Sequence, residues 1–105
     1  MTNLHKRAEG EKLLLAEFYL SWCGACRAMH DILDRFRRLA GGQVEVATFD
    51  IEAPENYSLV QEYSIVSAPT LVLFRGETVV WRGSGVVRVG YLMGVVGRAL
   101  RASGE

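Results

Sequence analysis

The stretch LSWCGACRAMHDILDRF, residues 20–36, sets two cysteines, Cys23 and Cys26, where an apolar run gives way to a periodic polar one. They are the only thiols in the chain. Before them, KLLLAEFYL (residues 12–20) reads as a strand buried on both faces, the pattern of a strand inside a parallel sheet. After them, Met29, Ile32, Leu33, Phe36 and Leu39 recur at helical spacing, while Arg27, Asp31, Asp34, Arg35 and Arg38 fill the other face. Gly41-Gly42 predicts the end of that helix. Cys23 therefore stands at a strand-to-helix junction, facing unsatisfied N–H groups and the positive end of the helix dipole.

Outward from this junction, residues 2–9 read as a short polar helix and VEVATFDI (residues 44–51) as a second strand. Pro54 opens a short helix that carries Tyr57, Val60 and Tyr63 inward and closes before Ala68-Pro69. TLVLF, a turn at RGE, and TVVWR form a hairpin over residues 70–82. The last segment, VVRVGYLMGVVGRALRA (residues 86–102), has helical apolar spacing at Val89, Leu92, Val96 and Leu100. Its Gly90, Gly94 and Gly97 each cost about 1 kcal/mol relative to alanine, so tertiary packing must hold that helix. The predicted order is αβαβαββα in an α/β fold, a single domain over residues 1–105, with no repeat or linker.

Composition narrows the function. The chain has 105 residues, half of them hydrophobic, which suits one compact core. Its 12 basic and 12 acidic residues cancel, and both signs are spread through both halves, which argues against a nucleic-acid partner. The run Leu13–Leu20 is too short to span a membrane, and Glu17 interrupts it. Following Lys6 and Arg7, it lacks the cleavage pattern of a signal peptide, so a cytoplasmic protein with no membrane partner is expected.

Two cysteines cannot build a disulfide framework, and a bridge closing so short a ring would stabilise by only about 2 kcal/mol. The pair is there for its reactivity. Lowering a thiol pKa from about 8.5 to about 7 raises the thiolate fraction at neutral pH roughly sixteenfold, while intrinsic nucleophilicity falls about fivefold. More must come from making Cys23 a good leaving group, with Cys26 held one helical turn away to attack a mixed disulfide. The rival is zinc, with His30 one turn after Cys26 and His5 also available. Structural zinc prefers four closed ligands, however, and a second knuckle is absent, so no metal is expected. His30 reads as a partly exposed helix residue placed to modulate Cys26.

SWCGAC at a strand-to-helix junction, SAPTLVLF (residues 67–74) and the glycine of GSGVV (residues 83–87), in this order, make the chain resemble the thioredoxin family over nearly its whole length. The resemblance implies a central mixed sheet flanked by helices and a cis Ala68-Pro69 bond. It implies that Cys23 is the exposed nucleophile and Cys26 the buried resolving thiol. Trp22, Gly24, Ala25, Ala68, Pro69 and Gly85 would form the substrate groove, the backbone of Ala68 pairing with a bound peptide. Glu17 falls where the family usually has a buried aspartate that handles the proton at the resolving cysteine.

Several positions depart from the family pattern. The usual first strand is missing, leaving about four strands. Ala25 replaces a proline between the cysteines and Asp31 replaces one that kinks the following helix, which is expected to run straight. Thr48 takes the place of a lysine, leaving Glu17 a hydroxyl and no compensating charge. For Glu17 itself, the bland reading is a strand residue that reaches solvent at an edge.

The resemblance implies a thiol–disulfide oxidoreductase that reduces protein disulfides, with the Cys23–Cys26 disulfide as its redox centre and no further cofactor. A disulfide reductase would donate electrons, and a monomer is expected. The alternatives are an oxidase or isomerase using the same dithiol, or a thioredoxin-fold binding module. Three weaker motifs are set aside: the sequon at Asn56-Tyr57-Ser58, a GSGVVR that fails the dinucleotide fingerprint, and the GxxxG of Gly90–Gly94. That last spacing predicts close packing of the helix on the sheet.

Overall fold

A computed structural model describes residues 12–104; the polar helix expected over residues 2–9 lies outside them. The apolar run after Lys12 forms β1 (Leu13–Tyr19), and every residue from Leu13 to Phe18 is fully buried, as a two-faced strand requires. It pairs in parallel with β2 (Val44–Asp50) and antiparallel with β3 (Thr70–Arg75). After a turn at Gly76, β4 (Thr78–Ser84) adds to β3, with an irregularity between Leu73 and Phe74. The result is a four-stranded mixed sheet in the order β2-β1-β3-β4.

The pleat sorts the core into two layers. Successive strand side chains point to opposite faces, so Leu13 and Leu15 face one layer and Leu14, Ala16 and Phe18 the other. On the first face lie helices α1 (Gly24–Ala40) and α3 (Val89–Gly104), through Met29, Leu33, Phe36, Leu92 and Val96. On the second face lies the short helix α2 (Tyr57–Glu62), through Leu59, with Ile65 from the loop that follows. Glu17, in step with Leu13 and Leu15, belongs to the α1 face.

Helix α1 starts one residue after Cys23 and runs unbroken past Asp31 to Ala40. Cys26, Met29, Leu33, Phe36 and Ala40 form its buried stripe. Leu39 was expected in that stripe but is 57% exposed, because it projects about a quarter turn from the stripe's centre. Tyr57 is likewise 65% exposed rather than inward. Pro54 opens a 3-10 turn (Pro54–Asn56), and α2 begins only at Tyr57. In so short a helix Leu59, Val60 and Tyr63 fill the inward face, and a residue two before Leu59 points away.

The terminal helix corrects a third expectation. Gly90 and Gly94 are both exposed and do not form a close approach to the sheet. A Cβ at Gly90 would meet nothing within 4 Å, and one at Gly94 would meet only the Arg98 guanidinium at 3.6 Å. Leu92, Val95 and Val96 make the packing, and Arg75 from β3 donates to the Ala99 carbonyl at 2.5 Å. Gly94→Ala should therefore raise stability by about 0.5–1 kcal/mol through helix propensity alone, read as a higher denaturant midpoint with an unchanged slope.

Candidate active site

Cys23 caps α1 from an extended conformation (φ −100°, ψ 121°), its sulfur accepting the Cys26 backbone N–H at 3.2 Å. This is the position in which a thiolate gains most from the orphan amides of a helix start. The Cys23 pKa is lowered, first by a hydrogen bond from the Cys26 thiol and then by the Cys26 amide, against desolvation and the charge of Glu17. Cys26 lies one turn on, in the buried stripe and only 1% exposed. Burial, followed by the hydrogen bond to Cys23, pushes its thiol up to about 11. One sulfur is thus half-buried and acidified, and the other is enclosed and held protonated.

The residues expected around the pair fall into two groups. Trp22, 69% exposed, and Gly24 and Ala25, also exposed, flank the cysteines on the junction itself. Ala68 comes from the loop before β3, with its carbonyl 3.9 Å from the Cys23 sulfur. The Ala68-Pro69 peptide is cis. Pro69 is buried and Ala68 half-buried. Gly85, at φ +82°, donates its N–H to the Pro69 carbonyl at 2.8 Å, tying the end of the hairpin to that loop. Only glycine adopts this backbone without strain. Thr70 closes the loop from the other side through its hydroxyl bond to the Ser67 carbonyl at 2.7 Å.

Two exposed valines, Val66 and Val86, flank the same loops, and reading the sequence did not single them out. Val66 is 90% exposed and stands two residues before Ala68; Val86 follows Gly85. With Trp22 they give the rim an apolar character. Their exposure depends on the loops, which have no periodicity to read.

Glu17 lies on the α1 face of the central strand, 0% exposed, and neither carboxylate oxygen has a hydrogen-bond partner. Desolvation raises its pKa to about 7, and the charge of Arg37 on α1 pulls the other way. The expectation that no cation compensates Glu17 is therefore corrected: α1 supplies Arg37, although the cross-strand partner is indeed Thr48. Thr48 is exposed and makes no hydrogen bond to the carboxyl. His30 turns out to face Glu17, its Nε2 at 3.0 Å from Oε1. The two atoms are in contact, yet neither has a hydrogen bond. The sequence signal for this contact was the four-residue step from Cys26 to His30, which keeps both near the strand under α1.

The comparisons with known proteins agree with this architecture. A thioredoxin family profile matches residues 2–94. The chain is 35% identical over 74 residues to a thioredoxin of Alicyclobacillus acidocaldarius, covering 70% of this chain and 69% of that one. It is 34% identical over 86 residues to a thioredoxin-like protein of Synechocystis, covering 82% and 80% of the two chains. A bifunctional thioredoxin reductase/thioredoxin of Mycobacterium leprae is 32% identical over 65 residues, which is 62% of this chain and 14% of that protein. Among solved structures, the germline-specific thioredoxin Deadhead of Drosophila melanogaster superposes with a TM-score of 0.77 at 25% identity, over 91% of this chain and 90% of that one. At the general level these relatives point to redox oxidoreductase chemistry, and the chain belongs to the thioredoxin family.

Proposed function

We propose that this chain reduces disulfides in protein substrates by dithiol–disulfide exchange through Cys23 and Cys26. The observation that carries this reading is the contrast between the two sulfurs, one half-buried and acidified, the other enclosed with its pKa pushed up to about 11. The Cys23 thiolate attacks a substrate disulfide, forming a mixed disulfide and expelling the first substrate thiolate. Cys26 then loses its proton and attacks the Cys23 sulfur, closing the Cys23–Cys26 bond and releasing the second thiolate. A buried thiol with a raised pKa needs a base for that step. Glu17, on the same face of the sheet and half-ionised near neutral pH, is matched to the task.

Apolar Trp22, Val66 and Val86 suit docking of an extended peptide. Gly24 and Ala25 would flank it, and the Ala68 backbone would pair with it above Pro69 and Gly85. A disulfide reductase is proposed as electron donor, supported by the Mycobacterium leprae relative, whose name joins both activities in one chain. A reducing compartment such as the cytoplasm would keep the pair charged. Among the described residues, no helix is long and apolar enough to cross a membrane.

Three results test this reading. Cys26→Ser should accumulate a mixed disulfide with a disulfide-bearing protein such as insulin, seen by mass spectrometry, while Cys23→Ser accumulates none; equal trapping by both variants would contradict the assignment. The redox potential, titrated against glutathione, should lie above the roughly −270 mV of thioredoxin, because Ala25 leaves the turn between the cysteines less restricted than proline would.

Glu17→Gln should slow resolution of the mixed disulfide and change stability in a pH-dependent way. The raised Glu17 pKa means that the native state holds this proton more tightly than the unfolded chain. Its contribution is thus complete below about 4.5 and is lost as pH rises through about 7. Relative to wild type, the glutamine variant should gain on the order of 1–2 kcal/mol between those limits, allowing for screening by nearby solvent, with denaturant midpoints as the measure.

A further inference from the structure

The proton that Cys26 surrenders must leave a carboxyl group that has no surface of its own. Glu17 is enclosed, and neither of its oxygens is hydrogen-bonded. Among the described residues, His30 is the titratable side chain in contact with it. Its Nε2 is itself buried, 3.0 Å from Glu17 Oε1, while 41% of the side chain is in solvent. The ring thus runs from the carboxyl to water. Beside it opens a cavity of about 300 Å³ lined by Tyr19, Leu33, Asp34, Arg37 and Thr48 as well as His30. Tyr19 meets the imidazole edge-on, with centroids 5.0 Å apart and planes at 84°, which fixes the plane of the ring.

We propose that His30 is the proton port of Glu17, carrying the proton between the enclosed carboxyl and solvent during resolution. The inference rests on the role proposed above for Glu17. In the step, Cys26–SH passes its proton to the Glu17 carboxylate as its sulfur attacks Cys23. The sulfur–sulfur bond to substrate breaks, and the electron pair leaves on the substrate thiolate. Neutral His30 then takes the proton from Glu17 on Nε2 and releases the one on Nδ1 to water. The carboxylate is restored, the ring stays neutral in its other tautomer, and one proton has left the protein. The ring returns to its first tautomer by proton exchange before the next cycle. Imidazole suits this because its two nitrogens can accept and release protons on opposite edges.

The groups facing His30 are consistent with passage in both directions. From β1 come Glu17 and Tyr19, from its own helix Asp34 and Arg37, and from β2 the hydroxyl-bearing Thr48. Asp34 and Arg37 are paired at 3.0 Å, and the Arg37 charge also acts on Glu17. The charge of Glu17 also acts on both thiols.

A single-turnover reaction of the reduced protein with dithiobis(nitrobenzoate) tests the port. The first coloured thiolate reports attack by Cys23, and the second reports resolution by Cys26. His30→Ala should slow the second phase about tenfold relative to the first at neutral pH, less than the roughly 10²–10⁴-fold of a group that abstracts the reacting proton itself, because water entering the space left by the ring takes over part of the relay. His30→Gln, which keeps the bulk but cannot relay, should do the same. Added imidazole should restore the second phase of His30→Ala in proportion to its concentration and leave wild type unchanged, a rescue that a packing defect would not show. A second phase unaffected by His30→Ala, or slowed without rescue, would overturn the proposal. If Glu17→Gln slows the second phase normally in that case, only the port has failed; if Glu17→Gln is also without effect, the role of Glu17 fails with it.

Discussion

The central strand β1 has a neighbour on each edge and a packed layer on each face, so every side chain from Leu13 to Phe18 is withdrawn from water. For five of the six that withdrawal is favourable, because they are apolar. For Glu17 it is not, and the period of two in the strand makes the site unavoidable: a residue in step with Leu13 and Leu15 must point at the helix that carries Cys26. An enclosed acid with a raised pKa follows from the placing of one charged residue in an apolar strand. The helix supplies the one charge that offsets part of the cost, in Arg37.

The same helix divides the labour between the sulfurs. Its first residue is Gly24, so Cys23 occupies the cap, where backbone amides are in search of an acceptor. Three residues later the chain has turned far enough to bring Cys26 into the buried stripe with Met29 and Leu33. Identical side chains thereby acquire opposite acid–base character from a single turn of helix. The loop at Ala68 brings a carbonyl to 3.9 Å from the outer sulfur, and the loops of Ala68 and Gly85 each carry an exposed valine.

How far all this could be read from the sequence depends on the kind of signal involved. β1, α1 and the hairpin were legible because their apolar residues repeat with a strong period, and the cysteine spacing located the junction. The flanks of α1 were less so. Leu39 and His30 both lie about a quarter turn from the buried stripe, on opposite sides, and which flank meets a neighbour depends on the layer beneath rather than on the helix. Hence Leu39, expected inside, is exposed, while His30 is the partly exposed helix residue its position implies but meets Glu17, a contact the sequence does not show. Tyr57 was misplaced because a 3-10 turn delays the start of α2. Gly94 suggested close packing, yet the residues that dock α3 are its neighbours Leu92, Val95 and Val96. Exposed Val66 and Val86 had no readable signal, since loops carry none.

Met29 lies one turn beyond Cys26 in the same stripe, fully buried, and its thioether accepts the backbone N–H of Val87 at 3.4 Å. A protein that handles oxidised sulfur risks having its own sulfur chemistry spread inward. Oxidation of this methionine would put a polar sulfoxide into the layer between α1 and α3 and disturb the contact that secures the segment after Gly85. Enclosure guards against both: peroxides arriving from solvent encounter Cys23 long before Met29 or Cys26. Of these sulfurs only Cys23 stands at the surface, with Cys26 and Met29 enclosed behind it, so that oxidative injury to the core requires local unfolding first.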